Sequence, residues 1–356
     1  MPCWIAPPAA CVRWKPKEGR IPVPVGEFDL IDRYFRRLDR PGGHARADVL
    51  LGVGDDAAVL RVPAGQELVA AIDTLVEGRH FLPGCAPQSI GHRALAVNLS
   101  DLAAMGAEPA WALLALTLPA AEEAFLEAFA AGLGRLAAAH HVALVGGDTT
   151  AGPLTVSVQV LGFVPPGQAL RRAGGAPGDL LFVSGTPGDA AAGLQLERRA
   201  ADGGVAPPGE AAAGQALRER FLYPTPRVAL GRALRGLASA CIDVSDGLAG
   251  DAAKLAAASG CGLRLEADAL PLSPALRALA GPERALQLAL EGGDDYELCF
   301  SLPPAQLPEL AVAAQAGGCP LTCIGVLEQA PGVRLYRGGK IQPYVATGYD
   351  HFANSG

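Results

Sequence analysis

The chain has few aromatic residues, no long apolar run and no excess of basic charge. Aromatic residues make up 5% of its 356 residues, whereas hydrophobic residues make up 50%. No run of about 18 or more apolar residues occurs, so we expect no membrane span. The net charge of −7 and the absence of a basic stripe argue against nucleic-acid binding. The length is enough for two domains.

Several common catalytic motifs are also missing. The sequence has no G-x-x-x-x-G-K-[ST] motif and no G-x-G-x-x-G after a strand, which excludes a P-loop and a dinucleotide-binding unit. No serine lies in a G-x-S-x-G elbow, which argues against a nucleophilic triad. The eight cysteines form no C-x-x-C pair, and we interpret them as reduced thiols of a cytoplasmic protein.

An aspartate within an apolar helical pattern is the first feature that points to function. Apolar residues recur at helical spacing from Ala94 to Met105, which predicts a buried amphipathic helix around Asp101. A buried aspartate is usually paired or bound to a metal. Asn98 lies three residues before Asp101 and therefore shares its face. Taken alone, the pattern also fits a helix with one solvated edge.

Four further apolar segments run directly into turns that contain aspartate. Strand ends that carry acids and glycines can collect carboxylates around one hard cation. Each aspartate alone could equally be a turn or cap residue. Five such segments together favour Mg²⁺, which would also offset repulsion between the carboxylates. The candidate metal ligands are Asp56, Asp73, Asp101, Asp148, Asp243 and Asp246.

Other residues near these acids are candidates for contacts with phosphate. The segment from Gly146 to Thr150 offers backbone N–H groups and hydroxyls beside Asp148. Ser245 lies between two candidate ligands, and Arg171-Arg172 is a basic pair that could also be a solvated surface pair. His80 follows the Asp73 segment closely enough to reach a ligand, although a lone histidine is more often structural.

The order of predicted helices and strands indicates an α+β fold. We predict an irregular N-terminal extension over residues 1–25, a first domain over 26–165 and a second over 166–356, with the boundary at Pro165-Pro166-Gly167. The sequence also predicts that Ser89 caps a helix, that a strand ending at Asp73 is covered on both faces, and that residues 199–214 form a mobile loop.

Nine segments together resemble the thiamine-monophosphate kinase family. This family shares a superfamily with aminoimidazole ribonucleotide synthetase and selenide water dikinase. The matching segments are GEFDLIDRYF at 26–35, LGVGDDAAVL at 51–60, IDTLVEGRHF at 72–81, ALAVNLSDLAAMGAEPAW at 94–111, VGGDTTAGP at 145–153, RRAGGAPGD at 171–179, IDVSDGL at 242–248, GGDDYEL at 292–298 and GYDHF at 348–352.

The resemblance implies ATP-dependent phosphorylation of thiamine monophosphate to thiamine diphosphate by direct in-line transfer. It implies an N-terminal α/β domain that forms a homodimer by joining sheets, and a C-terminal α+β domain. The six aspartates then resemble ligands of several Mg²⁺ ions. Contacts to ATP would come from Gly147, Asp148, Arg172 and Ser245, and contacts to thiamine monophosphate from His80, Glu297 and Tyr349. Glu297 would accept a hydrogen bond from the aminopyrimidine, and Tyr349 would stack on a ring.

The sequence departs from the family pattern at three positions. Ala71 and Ile72 replace hydroxyl residues that commonly precede the aspartate of this segment, and Ala151 replaces a frequent arginine. We expect Ala71 and Ile72 to weaken the binding of one peripheral Mg²⁺, and Ala151 to remove one possible phosphate contact. Two alternatives remain open: another ATP-using enzyme of the superfamily, and a non-catalytic nucleotide-binding regulatory protein.

Overall fold

The computed structural model describes residues 30–40, 45–204, 211–342 and 344–346. The predicted extension over residues 1–25, the GYDHF segment and Tyr349 lie outside the described residues. Helices and strands mix without strict alternation, which confirms the α+β prediction. No helix among the described residues is long and apolar enough to cross a membrane.

The N-terminal half is built on a four-stranded sheet with the order β3-β6-β4-β5. A separate two-stranded sheet, β1-β2, flanks it, and the loop between β1 and β2 carries Asp56. Strand β4 pairs with β5 in parallel, and the other two pairings of the larger sheet are antiparallel. The strands are β1 Val49–Leu51, β2 Val59–Leu60, β3 Glu67–Val76, β4 Glu108–Leu118, β5 Ala143–Ala151 and β6 Thr155–Val164.

Strand β3 is an edge strand with one exposed face. Val69, Ala71 and Leu75 pack on the core side, whereas Leu68 is 46% exposed and Ile72 is 63% exposed on the other side. The prediction that this strand is covered on both faces was therefore wrong for the single chain. Its apolar pattern does not distinguish a strand that is covered on both faces within one chain from a strand whose outer face is exposed in the single chain.

Two long helices, α1 over Pro87–Ala104 and α2 over Glu123–Ala139, pack closely against each other. Gly91 and Gly132 allow this approach, because a Cβ atom at either position would overlap the backbone of the opposite helix. Ser89 does not cap α1. The cap is Ala86, the helix begins at Pro87, and the Ser89 hydroxyl donates to the Ala86 carbonyl. Proline is well suited to the first helical position because it needs no N–H partner there.

The C-terminal half contains a seven-stranded sheet with the order β13-β12-β9-β11-β7-β10-β8. The strands are β7 Leu180–Ser184, β8 Ala240–Val244, β9 Gly262–Glu266, β10 Glu297–Leu302, β11 Leu321–Glu328, β12 Val333–Arg337 and β13 Lys340–Gln342. The helices are α3 Asp189–Ala201, α4 Ala211–Leu222, α5 Val228–Ala233, α6 Leu248–Ala258, α7 Pro274–Glu291 and α8 Leu307–Gly317. Helix α7 is interrupted at Gly281, before Pro282.

Most of the predicted mobile loop at 199–214 is helical where the structure describes it. Helix α3 continues to Ala201 and α4 begins at Ala211. Alanine favours helix, so the Ala-rich composition that suggested a linker also suits two helix ends.

Helix α1 connects the two halves. Its apolar residues, including Leu95 and Leu99, belong to one core cluster that also contains Phe182 and Phe300 of the C-terminal sheet. The helix contacts β3 and β6 of the first sheet and β8 and β10 of the second. Side chains on α1 can therefore contact both the N-terminal and the C-terminal sheet.

Candidate active site

Four of the six predicted carboxylates lie close together where α1 meets the edge of the C-terminal sheet. Asp101 lies on α1, Asp243 on β8, Asp246 in the loop after β8, and Asp73 within β3. They lie close enough for their charges to interact. The charges of Asp243 and Asp73 raise the pKa of Asp101, and the charge of Asp246 raises the pKa of Asp73. We call these four residues the acid cluster.

Burial makes the acid cluster costly to ionise. Burial, followed by the charges of Asp243 and Asp73, raises the pKa of Asp101 to about 8. Burial also raises the pKa of Asp243 to about 6, although a hydrogen bond from Ser100 opposes the shift. Arg172 lies near enough for its charge to lower both pKa values. The nearby positive charge does not offset burial at Asp101 and Asp243, and a bound cation would favour their ionised forms.

Helix α1 positions the C-terminal part of the site at two points. The Ser100 hydroxyl donates to Asp243 Oδ2 at 2.8 Å. Two turns earlier, the buried Arg93 donates to Asp294 Oδ1 at 2.5 Å and to the Phe221 carbonyl at 2.7 Å. Residues seven apart share one helix face, so a single face of α1 binds both Asp243 and Asp294.

The loop that carries Ser245 and Asp246 is fixed by a buried acid that the sequence did not single out. Asp251, on the first turn of α6, accepts the backbone N–H groups of Ser245 and Asp246 at 3.0 Å each. Lys254 donates to Asp246 Oδ2 at 2.7 Å and to Asp251 Oδ1 at 2.9 Å. The signal in the sequence was an aspartate in the first turn of a helix, which is common for structural reasons and therefore not specific.

Asp56 and Asp148 form a second group, away from the acid cluster. Both are exposed, and both line a cavity of about 840 Å³ together with Gly147, Phe35 and Leu144 among other residues. In the sheet order, three strand spacings separate β5 from β3, so Asp148 lies on the order of 14 Å from Asp73. Their register also places them in neighbouring rows, so they project from opposite faces.

The six acids therefore do not converge at one point of a single chain, and their role as ligands of several Mg²⁺ ions stays a prediction. Asp73 and Asp148 lie inside β3 and β5 rather than at strand ends, because both strands continue past the predicted turns. Gly147 has φ +149°, and a Cβ there would overlap the Leu114 carbonyl, so close pairing of β5 with β4 requires glycine at this position. Its contact with a nucleotide stays a prediction.

His80 lies in the turn after β3, and its Nδ1 atom accepts the Val76 backbone N–H at 3.0 Å. A neutral imidazole bonded in this way carries its proton on Nε2. The turn is closed by a further bond from the Gly78 N–H to the Phe81 carbonyl, and Gly78 has φ +78°. The structure thus fixes the ring beside the strand that carries Asp73.

Glu297 is the first residue of β10, but it is not open to a ligand there. Its side chain is fully buried and accepts hydrogen bonds from Arg227, Arg220 and Ser184 at 2.5–2.7 Å. Burial would raise its pKa, but the bonds and charges of the two arginines outweigh burial and hold the pKa below its ordinary value. Both oxygens already accept hydrogen bonds, so the expected hydrogen bond from an aminopyrimidine to Glu297 is not supported. Glu297 is a buried counter-ion instead.

Asp294 is the acid of this segment that keeps part of its side chain accessible, with 27% exposed. Asp295 is fully buried and caps α3 by accepting the Gly188 and Ala190 N–H groups. Asp294 and Tyr296 both have positive φ, +71° and +51°, which costs about 1–3 kcal/mol for each residue and often marks a functional segment. The Asp294 N–H also bonds to the Ser245 carbonyl, so the segment lies against the acid cluster's loop.

The acid cluster fits Mg²⁺ in part. Carboxylate oxygens are the ligands that Mg²⁺ prefers, and burial raises the pKa values of Asp101 and Asp243, so a cation would favour their ionised forms. Among the described residues, however, no group of three or more acids, histidines or cysteines converges closely enough to hold an ion by itself. This arrangement suits Mg²⁺ bound through one or two carboxylates, with water and phosphate completing the shell.

Two family models match the chain over most of its length. The model of the AIR synthase related protein N-terminal domain matches residues 54–164, and the C-terminal domain model matches residues 176–338. The chain thus belongs to the AIR synthase related proteins.

Known relatives narrow the assignment. Thiamine-monophosphate kinase of Escherichia coli K12 is 48% identical over 329 residues, covering 92% of this chain and 98% of that protein. The chain belongs to the thiamine-monophosphate kinase family. The crystal structure of that kinase from Stenotrophomonas maltophilia K279a is 48% identical with a TM-score of 0.78, covering 86% of this chain and 95% of that one. A structure of AaThiL complexed with AMPPCP and TMP is 32% identical with a TM-score of 0.71, over 94% and 100%.

Proposed function

We propose that the protein transfers the γ-phosphate of ATP to thiamine monophosphate and so makes thiamine diphosphate. The observation that carries this proposal is the 48% identity to a thiamine-monophosphate kinase over nearly the whole of both chains. The complex of a further relative with AMPPCP and TMP supports the same pair of substrates. The acid cluster and the segment of Asp294 supply a site with the chemistry that this reaction needs.

Phosphoryl transfer between two anions depends on positioning and on charge neutralisation. We propose that Asp56, Asp73, Asp101, Asp148, Asp243 and Asp246 hold several Mg²⁺ ions, which would neutralise the phosphates of both substrates. Arg172 and the Ser245 hydroxyl would orient phosphate oxygens beside the acid cluster, and Gly147 would contribute at the second group. The acceptor is a phosphate oxygen that is already ionised, so direct in-line attack requires no strong general base.

Discrimination between phosphate esters must come from groups that meet the rest of the acceptor. We propose His80 and Tyr349 for this role, and we add Asp294, whose Oδ1 is held by Arg93 while part of its carboxylate stays exposed. A carboxylate fixed in this way could accept a hydrogen bond from an aminopyrimidine. It takes the place that the sequence suggested for Glu297.

We further propose that the protein is a cytoplasmic homodimer, with a domain boundary near residue 165. The exposed outer face of β3, with Leu68 and Ile72, offers an apolar surface for a second copy. The family models support the boundary, since one match ends at residue 164 and the next begins at 176.

The proposed activity is tested by a coupled assay for ADP release. We expect ADP to form when ATP, Mg²⁺ and thiamine monophosphate are all present, and thiamine diphosphate to appear in equal amount. Thiamine and unrelated phosphate esters serve as control acceptors. ADP release that is independent of thiamine monophosphate would contradict the proposal and favour another enzyme of the superfamily, and no ADP at all would favour a regulatory protein.

A further inference from the structure

Lys254 contacts the acid cluster at Asp246. Lysine occurs at four positions of the sequence, and Lys254 and Lys340 are the two that the structure describes. Lys254 lies on α6, and its ammonium bridges Asp246 Oδ2 and Asp251 Oδ1 at 2.7 and 2.9 Å. Asp246 is close enough to Asp73 for its charge to act there.

The two acids that Lys254 bridges are held in different ways. Asp251 has 2% of its side chain exposed, and its other oxygen already accepts two backbone N–H groups. Asp246 has 32% of its side chain exposed, and Lys254 is the partner found for its carboxylate in the part of the chain that the structure describes. Removing Lys254 from the bridge would thus leave Asp251 in place and give Asp246 an open carboxylate.

We propose that the Lys254 ammonium takes the place of a divalent cation at Asp246, and that binding of the cation displaces the ammonium from the Asp246 carboxylate. This inference rests on the proposed role of Asp246 as a metal ligand. An ammonium is a compact charge on a flexible stem, and it forms no bidentate pair with a carboxylate as arginine does. With 45% of its side chain exposed, Lys254 can move into water while its contact with Asp251 keeps it nearby.

The consequence is competition between Lys254 and the metal. A partly exposed ion pair contributes about 0.2–1 kcal/mol. Metal binding has to overcome this contribution, and the upper part of the range, about 0.4–1 kcal/mol, corresponds to binding that tightens about two- to fivefold when the pair is lost. The bridge also explains how the metal-free protein keeps Asp246 in place despite the nearby negative charges.

The test measures Mn²⁺ binding to the full chain without nucleotide, by electron paramagnetic resonance of free Mn²⁺. We expect Lys254→Met to bind Mn²⁺ about two- to fivefold more tightly than the unaltered protein. Lys254→Arg keeps the charge and should bind no more tightly than the unaltered protein. Lys340→Met is the matched control for loss of a lysine, because Lys340 is exposed and lies in the β12–β13 hairpin.

Unchanged or weaker Mn²⁺ binding by a folded Lys254→Met variant would overturn the inference, and Lys254→Gln provides the same measurement if the methionine variant does not fold. In an Asp246→Asn background, Lys254→Met should have no effect, and an undiminished effect there would place the competition elsewhere and also overturn it. If the unaltered protein binds no Mn²⁺, the metal site itself is contradicted, which separates failure of the proposed function from failure of this inference.

Discussion

Asp101 is the residue whose environment departs furthest from that of an ordinary aspartate. Its pKa is raised to about 8 by burial and by the charges of Asp243 and Asp73. The helix around it is almost entirely buried, and its packing residues are distinct from the carboxylate. Removing the charge should therefore affect ligand binding and leave the fold intact.

We expect Asp101→Asn to lower kcat by at least about 100-fold at saturating Mg²⁺, which is about 2.7 kcal/mol of lost transition-state stabilisation. The melting temperature without metal should stay equal or rise, because an acid that is costly to ionise is replaced by a neutral group of similar shape. ADP release and thermal unfolding measure the two effects. Asp202→Asn, at an exposed position, is the control. Turnover by Asp101→Asn near that of the unaltered chain would exclude Asp101 as a ligand.

Glu297 should contribute to stability rather than to substrate recognition. Replacing it with glutamine leaves Arg220 and Arg227 without a counter-charge, although they keep 21% and 15% of their side chains exposed. We expect a loss of about 3 kcal/mol in the free energy of unfolding, measured in urea. Glu283→Gln, in an exposed pair with Arg337, should change stability little. If Glu297→Gln keeps its stability and raises only KM for thiamine monophosphate, a direct contact is the better explanation.

At the residue scale, the sequence predicted which acids lie together but not which other side chains contact them. The repeated aspartate segments indicated Asp73, Asp101, Asp243 and Asp246, which do lie together in the structure. Asp251, Arg93 and Lys254 were missed, because their importance depends on contacts between elements distant in the chain. A lone Asp or Lys in a helix carries no local signal of such contacts.

The crossing of α1 and α2 is the element-scale feature on which the site depends, since α1 carries Asp101, Ser100 and Arg93. A Cβ at Gly132 would overlap the Gln88 carbonyl of α1, which cannot move without separating the helices. A Cβ at Gly134, on the same helix, would meet only the end of the Leu38 side chain.

We expect Gly132→Ala to reduce the free energy of unfolding by at least about 2 kcal/mol, within the range for overpacked cores. Gly134→Ala is the matched control, and it should be neutral or slightly stabilising because alanine favours helix by up to about 1 kcal/mol. Urea unfolding compares them. Equal effects of the two substitutions would show that the close approach of the helices is not what Gly132 provides.

Strongly periodic elements were predictable from the sequence, and several others were not. The prediction of a helix around Asp101 is confirmed. Helix α7 was missed because Gly281 and Pro282 interrupt its pattern, and α4 because its Ala-rich start resembles a linker. Strands β3 and β5 extend beyond the glycine and aspartate turns where the sequence ended them, since pairing with β6 and β4 determines their length.

At the scale of the whole molecule, the acid cluster links stability to pH. The pKa values of Asp101 and Asp243 are raised to about 8 and about 6, above the value of about 4 in an unfolded chain. Between about pH 4 and pH 8 the folded metal-free protein therefore binds more protons than the unfolded chain, so its stability falls as pH rises.

With a chelator present, we expect the melting temperature to fall by at least about 3 °C from pH 5 to pH 8. Mg²⁺ with ATP should reduce this fall, because ligands that bind only the folded state stabilise it. In Asp101→Asn the fall should be smaller, which distinguishes the cluster from other titrating groups. A melting temperature that rises over this pH range would contradict the predicted charge state of the cluster.

The separation of the two acid groups is a further property of the whole molecule. Asp148 projects from the exposed face of the N-terminal sheet, on the order of 14 Å and three strands from Asp73. The same sheet has the exposed apolar residues Leu68 and Ile72 on β3. In a dimer joined through these sheets, we expect Asp148 of one chain to serve the acid cluster of the other.

This arrangement predicts complementation between two inactive variants. Asp101→Asn and Asp148→Asn should each be inactive alone, and light scattering should show a mass of two chains at micromolar concentration. When the variants are refolded together, about half of the dimers are mixed, and each mixed dimer contains one site with both aspartates intact. Activity should therefore recover to about a quarter of that of the unaltered protein. If both acids of a site came from one chain, every mixed dimer would carry a defect in each site and the mixture would stay inactive.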